Sequence, residues 1–126
     1  MKPTTFRWFA LASFVAMILI IVTGAAVRLT GSGLGCPDWP TCYKDQFSGS
    51  WSLHPAIEYA NRIVTILLVG VTIVTAVAAR FRSPRRPDLV RISLLLILGV
   101  VLDAVLGAIV VYSKLNPWLV STHLLL

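Results

Sequence analysis

The sequence predicts an all-α integral membrane protein: a four-helix transmembrane bundle whose fourth helix is cut short. Three observations predict it. The 126 residues are 57% hydrophobic and only 13% charged, with a mean hydropathy of +0.85, where a soluble domain usually carries about 25% charged residues. The few charges are absent from long stretches, and crossing a bilayer takes about 20 mostly apolar residues. The Lys and Arg residues gather between those stretches.

The first span covers residues 8–28 and is uncharged until Arg28. Its apolar run exceeds the roughly 7–15 residues of a signal-peptide core, and no small-x-small site precedes a soluble domain, so it reads as a retained helix. The second span, 56–79, is uncharged from Ile63 to Ala79 and polar at its outer end. The third, 91–112, contains Asp103 in its middle. The fourth, 117–126, opens at Pro117 and stops at Leu126. As helix it would rise only about 15 Å, half a bilayer, so the chain is expected to be part of something longer.

Orientation follows from the basic residues, which stay in the cytoplasm. Lys2, Arg7, Arg80, Arg82, Arg85, Arg86 and Arg91 fall on one side; Arg28, Lys44, Arg62 and Lys114 fall on the other. Seven against four, with five Arg in or bordering one short loop, places the N-terminus and loop 80–90 in the cytoplasm and loop 29–55 outside. The net charge of +6 is thereby explained by topology and anionic lipid. Nothing resembles a basic stripe with interleaved aromatics, so no nucleic-acid partner is expected.

The outer loop begins Arg28-Leu-Thr-Gly-Ser-Gly-Leu-Gly-Cys-Pro-Asp-Trp-Pro-Thr-Cys. Gly31, Gly33 and Gly35 alternate and allow sharp turns as the chain leaves the membrane. Cys36 and Cys42, the only cysteines, lie on the oxidising side, where a disulfide is favoured over two free thiols; a redox-active pair is a variant of the same reading. A structural zinc site would need four ligands, and only His54 is near. Trp39 and Trp51 suit the membrane interface as anchors.

Polar residues at membrane depth are costly and point to function. Glu58, Asn61, Arg62 and Thr65 recur at helical spacing on one face of span two, and Glu58 can pair with Arg62 at i, i+4; a self-satisfied ion pair is the plain alternative. Asn61 lies six residues past Pro55 and His123 six past Pro117, so both sit roughly 9 Å along their helices from the outer face. Matched positions on facing helices can hold a flat cofactor. His is a good iron ligand and Asn a poor one, so one axial ligand is on offer. Gly99, Asp103 and Gly107 share a face of span three where another helix could approach closely, with Asp103 as interhelical glue or, more sharply, as a proton relay or a contact to a cofactor. His54 reads as an exposed interfacial residue.

The loop motif, with Ile57-Glu58-Tyr59-Ala60-Asn61-Arg62 and Leu115-Asn-Pro-Trp-Leu-Val-Ser-Thr-His123, resembles the haem A synthase family. The resemblance runs from the first span to the last residues. It implies an eight-helix protein of two related four-helix halves, with residues 1–126 similar to the N-terminal half. The family oxidises a methyl group of haem O to a formyl group, making haem A for terminal oxidases. The resemblance further implies haem b as cofactor in the C-terminal half and haem O as substrate in the N-terminal one.

Residue by residue, the family's catalytic Glu falls on Glu58, its haem-iron His on His123 and its disulfide on Cys36 and Cys42. The first His of the usual pair falls on Asn61, a departure shared by one branch of the family. Arg28 and Arg62 would receive the propionates, since Arg–carboxylate bonds are strong and directional. Glu58 would accept a proton or stabilise positive charge at the reacting methyl carbon.

Implied partners are haem O and haem A, membrane lipid, haem O synthase, an electron donor and a second copy of the chain. The implied location is the bacterial plasma membrane, multi-pass, with a cytoplasmic N-terminus. Residues 1–126 alone are expected to be inactive. The alternatives are a b-type haem-binding or electron-transfer membrane subunit without oxygenase chemistry, and an assembly module that escorts haem.

Overall fold

A computed structural model describes residues 1–43 and 52–125. It is all-helical: α1 Pro3–Leu29, α2 Leu53–Arg80, α3 Pro87–Tyr112 and α4 Pro117–Leu125. The first three are long and apolar enough to cross a membrane. Pro3, Pro87 and Pro117 each stand at a helix start, where the missing N–H costs no intrahelical bond and φ is preset. The Asn116 side chain caps α4 by accepting from the Trp118 N–H at 3.1 Å, as an N-cap residue does.

The helices pack in chain order. Among the described residues α1 packs only on α2, and α4 only on α3, so α2 and α4 do not touch. The central α2 therefore carries most of the buried positions, including Leu68, Thr72, Thr75, Ala76 and Ala79. Only Ser13 of α1 and Ser93 and Val110 of α3 are buried. Large apolar side chains such as Trp8, Phe14, Ile21 and Leu95 point outward. A bilayer accommodates such a surface, because helices in lipid associate through small and polar residues rather than by hiding oil from water.

The α1–α2 seam shows this directly. Ser13 Oγ and Thr75 Oγ1 lie 2.7 Å apart and buried, and Thr75 also reaches the Phe9 carbonyl at 3.1 Å. Ser13→Ala is expected to cost less than about 1 kcal/mol, the usual scale of such bonds in membranes. Ser13→Leu should cost about 1–3 kcal/mol by wedging the helices apart. Unfolding of the detergent-solubilised protein measures both, and equal stability of the two variants would refute the close seam.

The two ends of the array differ. At one end the Met1 ammonium donates to the Phe81 carbonyl at 2.8 Å and the Ser83 N–H donates to the Met1 carbonyl at 3.0 Å. This ties the N-terminus to the basic α2–α3 turn. At the other end the cysteine loop meets the α3–α4 turn. There Lys114 and Leu115 both adopt positive φ, and the Leu115 side chain lies under Gly33, where a β-carbon would come within 3.1 Å of it.

Candidate functional site

The loop begins where α1 ends. Gly31 takes φ +65°; its N–H donates to the Arg28 carbonyl at 3.2 Å and the next, Ser32, to Val27 at 2.9 Å. These paired bonds form a Schellman termination, which favours glycine at this position. Ser32 is fully buried, with its hydroxyl 3.0 Å from His54 Nδ1 and 2.6 Å from the Thr30 hydroxyl. His54 is exposed, as an interfacial residue should be, and it also tethers the loop to α2. At Gly35 the loop backbone presses against His54 and Pro55; a β-carbon there would lie 2.7 Å from backbone atoms of both.

Cys36 and Cys42 form a disulfide and both are fully buried. The small ring they close is anchored by one ion pair on α2. Glu58 and Arg62 are buried, 4% and 8% exposed, and bonded to each other at 2.5 Å. The other carboxylate oxygen of Glu58 accepts the Cys36 N–H at 2.8 Å. The Arg62 guanidinium donates to the carbonyls of Asp38, Thr41 and, more distantly, Pro40 and Cys36. Tyr112 of α3 adds a bond to the Trp39 carbonyl at 3.2 Å.

A physical signal for this clamp lies in the sequence. Residues 36–42 include Pro37 and Pro40, which supply carbonyls but no N–H. The ring carbonyls that face α2 need a donor from outside the ring, and a guanidinium offers five N–H groups in a rigid fork. The i, i+4 pair was legible; its use by the loop was not.

The other expected site residues sit elsewhere on the array. Asn61 Oδ1 accepts from the Thr23 hydroxyl of α1 at 2.7 Å. Thr65 closes on its own helix, bonding the Asn61 carbonyl at 3.0 Å. His123 Nδ1 lies 2.7 Å from Asp103 Oδ1 on α3. Asn61 and His123 therefore engage different neighbours, on helices that do not touch. Arg28 is exposed at the end of α1. Gly107 lies against the His123 ring, whereas Gly99 faces open space. Trp51 and Lys44 lie outside the described residues.

Of these side chains, the His123 imidazole is the good iron ligand and the Asn61 amide a poor one. A shallow apolar groove between Trp8, Leu11, Val15, Leu67 and Val71 on α1 and α2 has no polar group to fix an orientation and is read as a lipid-facing surface.

The sequence matches the family model COX15-CtaA, described as cytochrome oxidase assembly protein, over residues 7–50 and 52–126. It is 32% identical to a protein named heme A synthase from Geobacillus thermodenitrificans, covering 83% of this chain and 33% of that protein. Heme A synthase of Lysinibacillus sphaericus is 30% identical, covering 95% of this chain and 39% of its own length. Heme A synthase of Shewanella oneidensis is also 30% identical, with 94% and 40% covered. The chain thus spans about a third to two-fifths of the length of these relatives.

Proposed function

Because the chain belongs to the COX15-CtaA family, we propose that it is the substrate-receiving half of a haem A synthase. The activity is proposed for the whole protein: oxidation of a methyl group of haem O to a formyl group, with haem b held by a second half. The observation that carries this reading is the coincidence of motif and architecture. The loop spelled by the family-like motif is the one pinned by Glu58 and Arg62, at the end of the array where Asn61 and His123 enter their helices.

His123 is the proposed contact to the substrate's iron, with Asn61 on the opposite side of the plate. Arg28, free of the clamp and exposed, is the proposed partner of a propionate. Arg62 gives its terminal nitrogens to the loop, so its proposed part in binding is to hold the lid under which the propionates lie. Both oxygens of Glu58 already accept hydrogen bonds. Its proposed catalytic role is therefore as a fixed negative charge, stabilising positive charge that develops at the reacting carbon.

The proposed setting is the bacterial plasma membrane with the N-terminus inside, supported by the basic residues sharing one end with Met1. Haem O synthase, an electron donor and a second copy of the chain are the proposed partners.

Glu58→Gln in the whole protein tests the catalytic role, because glutamine keeps an acceptor for the Cys36 N–H but loses the charge. Conversion of haem O to haem A, read by pigment extraction, is expected to fall at least about 100-fold, while the unpaired Arg62 charge should also make the disulfide easier to reduce. Unchanged conversion would remove Glu58 from the chemistry. Haem b alone in the wild-type extract, with no turnover of haem O, would assign the electron-transfer reading instead.

A further inference from the structure

Asp103 and His123 meet across the α3–α4 pair, twenty residues apart in sequence. Both side chains are about one-third exposed, 36% and 35%, at a depth where an unpartnered carboxylate is costly. The ring is held from two directions. Asp103 Oδ1 takes Nδ1 at 2.7 Å. Gly107, one turn further along α3, leaves bare backbone beside the neighbouring ring atoms, where a β-carbon would come 3.3 Å from Cε1 and 3.4 Å from Nε2. Among the described residues, Nε2 has no hydrogen-bond partner.

We propose that Asp103 is a positioning residue for His123, fixing the imidazole so that Nε2 presents its lone pair to the iron of a porphyrin substrate. The inference rests on the reading of His123 as the iron contact. With Nδ1–H donating to Asp103 Oδ1, the lone pair of the imidazole is left on Nε2. The carboxylate also strengthens the ring as a donor to metal, as outer-shell partners of ligating histidines do. Gly107 contributes by absence: a β-carbon there would crowd Cε1 and Nε2 at 3.3 and 3.4 Å, so glycine leaves room at the nitrogen that would meet the iron.

The test uses the whole protein purified in mild detergent and titrated with ferric protohaem as probe. Affinity, Soret position, low-temperature electron paramagnetic resonance and reduction potential are read as differences against His123→Ala. The wild type should show a histidine-ligated iron that His123→Ala lacks. Asp103→Asn should retain that ligation with about 10- to 100-fold weaker binding and a raised potential, because the ring donates less strongly. Asp103→Asn indistinguishable from wild type in affinity and spectrum overturns the inference while leaving the iron contact intact. His123→Ala indistinguishable from wild type overturns the iron contact itself. Should Asp103→Asn fail to fold, Gly107→Ala crowds the ring at Cε1 and Nε2, and an unaltered electron paramagnetic resonance signal there overturns the inference as well.

Discussion

Arg62→Met is expected to release the cysteine loop and to destabilise the protein by about 3–5 kcal/mol, the scale of breaking a buried ion pair from one side. Methionine retains much of the packing volume and removes every donor. The carbonyls of Asp38 and Thr41 lose their bond to the guanidinium, and Glu58 is left buried beside the Cys36 N–H alone. Arg62→Lys should restore only part of the loss. One ammonium keeps the charge, but it cannot reproduce a planar fork directed at several loop carbonyls and a carboxylate together.

The double variant Glu58→Gln with Arg62→Met should be less damaged than Arg62→Met, since it no longer buries a lone charge. Thermal unfolding in detergent and the rate of Cys36–Cys42 reduction measure these effects. If Arg62→Met melts and resists reductant as the wild type does, the clamp is not what holds the loop.

How much of this was legible in the sequence depends on the distance over which each feature acts. The membrane-spanning helices follow from local composition, and the cysteine pair from two cysteines six residues apart in one loop. The Glu58–Arg62 pair follows from helical spacing alone. Each of these needs only residues near one another in the chain. The partners that give the site its form do not have that property. Asn61 turns to Thr23 of α1, a choice set by how α1 rotates against α2. Asp103 was recognised as a group that must find a partner, but pairing it with His123 needs the α3–α4 turn. That turn places Lys114 and Leu115 in the left-handed region, which sequence does not announce for residues other than glycine, asparagine or aspartate. Ser32 and His54 are equally ordinary in sequence, and only the Schellman turn at Gly31 brings them together.

Gly35→Ala tests the loop from its backbone side, and it is expected to be the most damaging of the glycine substitutions. The added β-carbon would stand 2.7 Å from the His54 carbonyl carbon and the Pro55 nitrogen and 2.8 Å from the His54 oxygen. These atoms belong to the first turn of α2 and cannot swing aside as a side-chain tip does. Overpacking of this kind costs about 1–3 kcal/mol and occasionally more. Here the strain can be relieved only by lifting the loop, which draws the Cys36 N–H away from Glu58 and the ring carbonyls away from Arg62. The upper end of that range is therefore expected, together with faster reduction of the disulfide.

Two other glycines separate this steric cause from a general intolerance of substitution. Gly31→Ala meets nothing within 4 Å but must hold φ +65°, a cost of about 1 kcal/mol. Gly70→Ala meets nothing within 4 Å in the middle of α2 and should be neutral or stabilising by up to about 1 kcal/mol through helix propensity. The expected order of melting temperatures is Gly70→Ala highest, then Gly31→Ala, then Gly35→Ala. A Gly35→Ala protein that melts with the wild type and resists reductant equally would mean that the loop does not rest on the first turn of α2. The bonds drawn from Glu58 and Arg62 to that loop would then have to be abandoned as well.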